Sequence, residues 1–435
     1  MKKLTVCIAL AALLALGGQA FAVIGTVDDV PAATLLLPYF EVDLNDPIAL
    51  TTLFSINNAS AAPAIAHVTL WTDLSVPTLD FNVYLTGFDV VTFNLRDLFT
   101  TGTVPETSHT GAGGVSNVGD FSLVTNPVTG VGPGSTSCNA QLPLPALPAI
   151  LLAHIQAAHT GNPSSVFGGD CGGVAFGDNI ARGYLTIDNV NTCSLDFPGT
   201  AGYFVAGGGG TGANNQNQLW GDYFYVDQLD NFAQGETLVH VEADDALGAA
   251  NYTFYRRYAP AGEDQREGLT STFATRYANG GAFTGGTDLI VWRDAKRTIS
   301  PFACAGGPPA PYGLGQEQIV IFDEEENPDV PEQSPFSPVI PGTALTPFPW
   351  EAQRVAVGGP AFPVPFTFGW LYLNLNTTVA GSQVPFEPVT QNWVTTVISA
   401  DGRFSVGYDA IQLDNVTDPA FASNVCLGVG GGAPC

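Results

Sequence analysis

Residues 35–99 read LLLPYFEVDLNDPIALTTLFSINNASAAPAIAHVTLWTDLSVPTLDFNVYLTGFDVVTFNLRDLF, and this stretch decides the fold. Thr51 to Asn58 alternates: Thr52, Phe54 and Ile56 fall on one face, and Thr51, Leu53 and Ser55 on the other. Its β-branched and aromatic residues suit a pleated surface. NNASAAP then breaks the run with turn formers and Pro63. Ile65 to Thr72 resumes it, with Ile65, His67, Thr69 and Trp71 on one face and Ala66, Val68 and Leu70 on the other. DLSVP turns again. Leu79 to Leu85 and Val90 to Leu95 supply two more strands, split by TGFD, a glycine-containing connection of hairpin length. Four strands at this spacing predict an antiparallel sandwich or barrel. Parallel pairing would need helices between the strands, and none can be placed here.

The same grammar returns downstream in ARGYLTIDNV (181–190), LWGDYFYVDQ (219–228), ETLVHVEADD (236–245), TDLIVWRD (287–294), EQIVIFDEEE (317–326), TFGWLYLNLN (367–376), NWVTTVIS (392–399) and RFSVGYDAIQL (403–413). A single helix is expected at about 146–159, with Leu147, Ile150, Leu151 and His154 on one face, Gly161 as its C-terminal cap and Pro163 just beyond. The predicted fold class is all-β: two antiparallel β-sandwich units, Ig-like or jelly-roll-like, with long Gly/Pro-rich loops and one short helix. The first unit spans 23–255 and carries a helix-containing insertion at about 100–175. The second spans 256–435 and contains a proline-rich segment at 327–365. RGYLTIDN and FGWLYLNLN share a pattern of glycine, aromatic, then alternation, as equivalent strands of related sandwiches would.

Residues 1–22 read as a signal peptide. Lys2 and Lys3 precede the apolar core LTVCIALAALLALGG, and Ala20-Phe21-Ala22 forms the cleavage site. No second apolar run is long enough to span a membrane. Without Lys2 and Lys3 the 13 basic residues become 11, against 40 acidic ones, and the net charge moves from −27 to −29. Such a surface repels nucleic acid and anionic lipid, so neither is an expected partner. Cys7 lies in the leader. Cys138, Cys171, Cys193, Cys304, Cys426 and Cys435 remain, an even number after export, which reads as disulfides in an oxidising compartment with the connectivity open. CLGVGGGAPC is flexible enough for Cys426 to close on Cys435, and Cys138 and Cys171 flank the expected helix.

Three constellations could carry chemistry. His240, Glu242 and Asp244 alternate along an expected strand, as a metal site or an acid–base group could, although a solvent-facing polar row has the same pattern. Asp323, Glu324, Glu325, Glu326 and Asp329 follow the strand QIVIF, and clustered carboxylates on a loop suit calcium, the cofactor this sequence favours. The alternative is a solvated acidic loop. Arg256, Arg257, Arg266, Arg276, Arg293, Lys296 and Arg297 crowd about forty positions and interleave with acids, reading as an anion pocket or an ion-pair network. His154 is read as packed on the helix face. No nucleophile-elbow, zinc-protease, P-loop or Rossmann fingerprint is present.

LLLPYFEVDL, TTLFSINNAS and RGYLTIDNVNTC together resemble the pattern of a loose group of uncharacterised bacterial secreted proteins: an LLxPY strand, a strand ending in NN or NTS, and a later GY strand followed by cysteine. The resemblance covers the first half and implies an exported β-sandwich. The functional expectation is an exported, non-enzymatic structural or surface protein of matrix, adhesion or assembly, extracellular, at the cell surface or periplasmic, with a glycan or protein partner. Two alternatives are carried: a secreted carbohydrate-binding or carbohydrate-active hydrolase, with Trp220, Tyr223, Trp350 and Trp370 as sugar-stacking candidates, and an outer-membrane β-barrel.

Overall fold

The computed structural model describes residues 30–105, 145–164, 166, 172–248, 253–256, 258–260, 262–294, 318–329, 347–375 and 391–413. The leader read at 1–22, residues 106–144 of the insertion and 330–346 of the proline-rich segment lie outside them.

The regular secondary structure of the described residues is nearly all β-strand, and every strand pair among them is antiparallel. A first sheet runs in the order β10 (Val239–Val241), β1 (Thr34–Asp43), β6 (Ile180–Val190), β3 (Ala64–Thr72), β4 (Pro77–Leu85). A second runs β5 (Val90–Asn94), β2 (Thr51–Asn58), β8 (Asp222–Asp227), β9 (Phe232–Thr237), with β7 (Leu219–Trp220) also on β2. A third runs β15 (Ala352–Val357), β12 (Gly286–Arg293), β17 (Asn392–Ala400), β18 (Phe404–Asp409). A fourth runs β14 (Pro328–Asp329), β13 (Gln318–Asp323), β16 (Phe368–Asn374), β11 (Thr272–Ala278), β19 (Ile411–Gln412). None of the four closes into a barrel.

The organising stretch folds as its alternation dictates. β3 lies inside the first sheet, between β6 and β4, and is buried along its whole length. The indole N–H of Trp71 donates to Thr186 Oγ1 at 2.9 Å, so burying this large ring leaves no polar atom unpaired. In β2, Phe54 and Ile56 face the first sheet, and Phe54 stacks on Phe93 at 4.6 Å. β12 shows most clearly how the sheets pack. Ile290 and Trp292 enter the core shared by the first two sheets, while Leu289 and Val291 enter a second core against the fourth sheet. The third sheet is therefore a middle layer, apolar on both faces, which explains the near-continuous apolar run LIVW.

Two helices are present among the described residues, where the sequence reading expects one. α2 (Ala149–His159) is the expected helix, and Gly161 follows it at φ +73°. The unexpected α1 (Leu95–Thr101) follows β5 without a loop. Asn94 Oδ1 accepts from the Arg96 N–H at 3.0 Å to open it, and Gly102 at φ +69° closes it. Leu95, Leu98 and Phe99 then bury one face. No helix among the described residues is long and apolar enough to cross a membrane.

β9 and β18, edge strands of the second and third sheets, lie side by side without a backbone ladder. Side chains join them: Ser405 Oγ donates to the Ala233 carbonyl at 2.5 Å, and Asn231 Nδ2 to the Gly402 carbonyl at 3.1 Å. Gly407 gives room to the Gln234 side chain here: a Cβ would lie 1.8 Å from its Nε2, so any larger residue would have to displace that side chain.

Candidate functional site

The residues singled out by sequence fall into separate places. His240 is buried. Its Nδ1–H donates to the Val30 carbonyl at 2.8 Å, and Nε2 accepts from the Gly221 N–H at 3.4 Å. β10 ends at Val241, so Glu242 and Asp244 lie beyond the strand, half-buried; burial and then Asp244 push the Glu242 carboxyl up. Asp323 closes the turn between β13 and β14: its carboxylate accepts from the backbone of Glu325 and Asn327 and from Asn327 Nδ2, at 2.8–2.9 Å. The Asn327 bonds, as the larger cause, hold it below the usual carboxylate range. Glu324 pairs with Arg276 at 2.8 Å on the surface. Among the described residues no group of three or more His, Cys, Asp or Glu is arranged to hold a metal ion.

The arginines form no single pocket. Arg266 donates to Thr34 Oγ1, Asn215 Oδ1 and the carbonyls of Asp264 and Asn214 at 2.6–3.2 Å. Arg293 is fully buried, and donates to Asn392 Oδ1 and the carbonyls of Phe348 and Leu375 at 2.6–3.1 Å; burial lowers its pKa to about 9. Both guanidiniums thus tie backbone segments together. Arg256 donates to the Ala259 carbonyl at 3.5 Å. Arg257, Lys296 and Arg297 lie outside the described residues, as do Cys138, Cys171, Cys304, Cys426 and Cys435. Of the aromatic candidates, Tyr223 is core, Trp350 is half-buried, Trp370 stacks on Phe322 at 3.8 Å, and Trp220 is 41% exposed.

A cavity that brings distant segments together opens beside the β9–β18 seam. It has a volume of about 690 Å³ and is lined from the β8–β9 turn, the start of β12, β15, and the β17–β18 turn. Asp227, Asp230, Asp288 and Asp401 face it, with Arg354 the only basic residue of its lining among the described residues and Leu229, Phe232 and Phe404 as apolar wall. Arg354 is already engaged. Its Nε and Nη2 lie 2.8 and 2.6 Å from Asp288 Oδ2, its Nη1 lies 3.5 Å from Glu41 Oε2, and its guanidinium sits 5.6 Å over the Phe232 ring. Burial works against its charge, but Glu41 and Asp288 outweigh burial and hold it above the ordinary arginine value.

The turns shape the rest of the cavity. Asp227 Oδ1 accepts the N–H groups of Leu229 and Asp230 at 2.9 and 3.3 Å, an Asx-type turn. Asn231 follows at φ +49°. Gly285 forms part of the floor, where a Cβ would lie 2.0 Å from Ser399 Oγ and 2.5 Å from Asp401 Oδ1. The carboxylates of Asp230 and Asp401 accept no hydrogen bond from the protein among the described residues. Sequence reasoning missed this site. DQLDN at 227–231 and ADG at 400–402 each look like ordinary hairpin turns, and only the fold brings them together. Comparison with known proteins finds no matching family model, no matching curated relative and no matching solved structure.

Proposed function

We propose that this protein is exported and non-enzymatic, acting in matrix, adhesion or assembly outside the cytoplasm through a glycan or protein partner. One observation carries this reading: among the described residues, the carboxyl and imidazole groups most displaced from their ordinary protonation stand away from the cavity and are spent on architecture. Asp73 is raised to about 7, Asp264 to about 6, and His159 is lowered to about 3, each by burial first, and none lines the cavity. Catalytic groups are normally tuned where substrate can reach them. Calcium does not enter the proposal, since the carboxylate of Asp323 is taken up by its own turn. Cys193 is buried and disulfide-bonded, which supports an oxidising compartment.

The test combines fractionation with turnover assays. Cells expressing the full chain are fractionated and alkylated to find where the protein resides and whether its thiols are blocked. The purified protein is then offered intact cells, polysaccharides and chromogenic glycosides. Export, oxidised cysteines and binding without turnover are expected. Hydrolysis that disappears in Asp288→Asn or Asp401→Asn would establish the hydrolase instead.

A second reading, carbohydrate recognition, is favoured by the outer face of the second sheet. Trp220 and Phe224 stand exposed there, and Ser55, Asn57 and Asp222 form a hydrogen-bonded row between them. Asn57 Oδ1 has no hydrogen-bond partner among the described residues although the residue is 1% exposed. Retention on an insoluble polysaccharide, lost in Trp220→Ala, tests it.

A further inference from the structure

We propose that the cavity at the β9–β18 seam is a binding site for an organic cation, a protonated amine carried on an apolar or sugar skeleton. The inference stands whether or not the protein acts at a cell surface, because it rests on the cavity alone. Its volume of about 690 Å³ lies in the range of small-molecule sites, roughly 300–1,000 Å³. Both halves of the chain line it, and junctions of this kind are preferred ligand positions.

The charge balance selects the ligand class. Four aspartates face the cavity against one arginine. Arg354 is neutralised by Asp288 and Glu41, so it offers little to an anion. Asp227 Oδ1 accepts two backbone N–H groups, those of Leu229 and Asp230, and is paired with no cationic side chain among the described residues. Asp230 and Asp401 are carboxylates without hydrogen-bond partners among the described residues. The chain's net charge of −27 adds to the local field and attracts cations into the cleft.

The geometry then separates an organic cation from a metal ion. No three carboxylates are gathered as ligands among the described residues, so negative charge is spread along the walls rather than focused on a point. A compact divalent ion needs six to eight converging oxygens. An ammonium needs only one or two carboxylates for charge-assisted hydrogen bonds, and its carbon skeleton can lie on Phe404 and Leu229, which are 49% and 56% exposed. An aliphatic polyamine and an amino sugar both carry this chemistry.

Calorimetric titration of the folded protein decides the matter, using spermidine, a glucosamine oligomer, its N-acetylated counterpart and calcium. At least one amine is expected to bind, about tenfold more weakly in the Asp230→Asn/Asp401→Asn double variant, with binding fading as sodium chloride screens the pair. The tighter of spermidine and glucosamine oligomer identifies the source. Both aspartates sit in surface turns, and a thermal melt verifies that the double variant folds; if it melts early, the two single variants serve. The proposal fails if no amine binds, if affinity survives the loss of both carboxylates, if the acetylated oligomer binds equally well, or if calcium displaces the amine from the same residues.

Discussion

Asp188 and Arg266, two buried and opposite charges, are joined through the hydroxyl of Thr34. Arg266 Nε donates to Thr34 Oγ1 at 2.9 Å, and Thr34 Oγ1 donates to Asp188 Oδ1 at 2.5 Å. Tyr203 and Tyr255 add their hydroxyls to the same carboxylate at 2.9–3.0 Å. The relay links β1 and β6 to the segment that leads into β11. A buried ion pair of this kind is a poor source of stability by itself, but removing one member leaves the others without partners.

Thr34→Val tests the relay, since valine keeps the shape and removes the hydroxyl. Arg266 Nε then faces a methyl group, and Asp188 loses one of its donors. The expected loss is about 2–4 kcal/mol, because a buried charged group left short of hydrogen bonds is costly. Urea unfolding of the variant measures it. A loss within the scatter of ordinary surface substitutions would show that the relay contributes nothing.

His159 makes stability depend on acid. Its Nδ1–H donates to the Arg182 carbonyl at 2.8 Å, Thr78 Oγ1 donates to Nε2 at 2.7 Å, and the ring packs against Phe40 and Phe99. Burial lowers its pKa from 6.5 to about 3, although the Arg182 carbonyl pulls the other way. The folded pKa is depressed, so this contribution is complete above 6.5 and is lost as pH falls towards 3. The native imidazole should hold a neutral Nδ1–H tautomer at pH 5 by nitrogen NMR, and His159→Gln should flatten the acid side of the stability profile.

Asp73 acts in the opposite sense over much of the same window. Burial raises its carboxyl from 3.8 to about 7, against the hydrogen bond from the Val174 N–H at 2.9 Å and the charge of Arg182. A raised carboxyl pKa means that the folded state holds a proton the unfolded chain has released. Its contribution is complete below 3.8 and is lost as pH rises through about 7. Asp73→Asn keeps an acceptor for Val174 and has no proton to lose, so its stability should decline less than wild type between those values. Parallel urea midpoints for the two proteins across that range would refute the assignment.

The strands from Thr51 to Asn94 were legible because each is bounded by turn formers and carries its own alternation. α1 was hidden because LRDLF continues the strand VVTFN without punctuation, and a helix of 7 residues has too few turns to declare its period. β11 and β15 were unread for different reasons: TFATRYA lies in a charged region, and AQRVAV sits inside the proline-rich segment. The middle position of the third sheet explains how LIVW serves two cores, but period-two patterning cannot tell one buried face from two. The cavity was illegible for a stronger reason. Its walls depend on turns about 170 residues apart, and a turn sequence states its own geometry without naming its neighbour.

One short likeness did carry structural content: the glycines of RGYLTIDN and FGWLYLNLN occupy equivalent positions. A Cβ on Gly183 would lie 2.1 Å from the Trp71 carbonyl oxygen, and one on Gly369 would lie 1.8 Å from that of Phe322. In both, only glycine lets the neighbouring strand approach. The surroundings differ. A Cβ on Gly183 would also lie 2.9 Å from His159 Nδ1 and 3.0 Å from Phe40 Cζ, inside the first core, whereas the three atoms nearest a Cβ on Gly369 all belong to the backbone of Phe322 and Asp323, at the start of β16. Gly183→Ala should therefore cost roughly 3 kcal/mol or more, and Gly369→Ala about 1–2 kcal/mol, since a methyl group at Gly183 must also displace the packed rings of His159 and Phe40. Urea unfolding of the two variants gives the comparison. Equal losses would mean that strand approach alone sets the cost, and a larger loss for Gly369→Ala would reverse the ranking derived from His159 and Phe40.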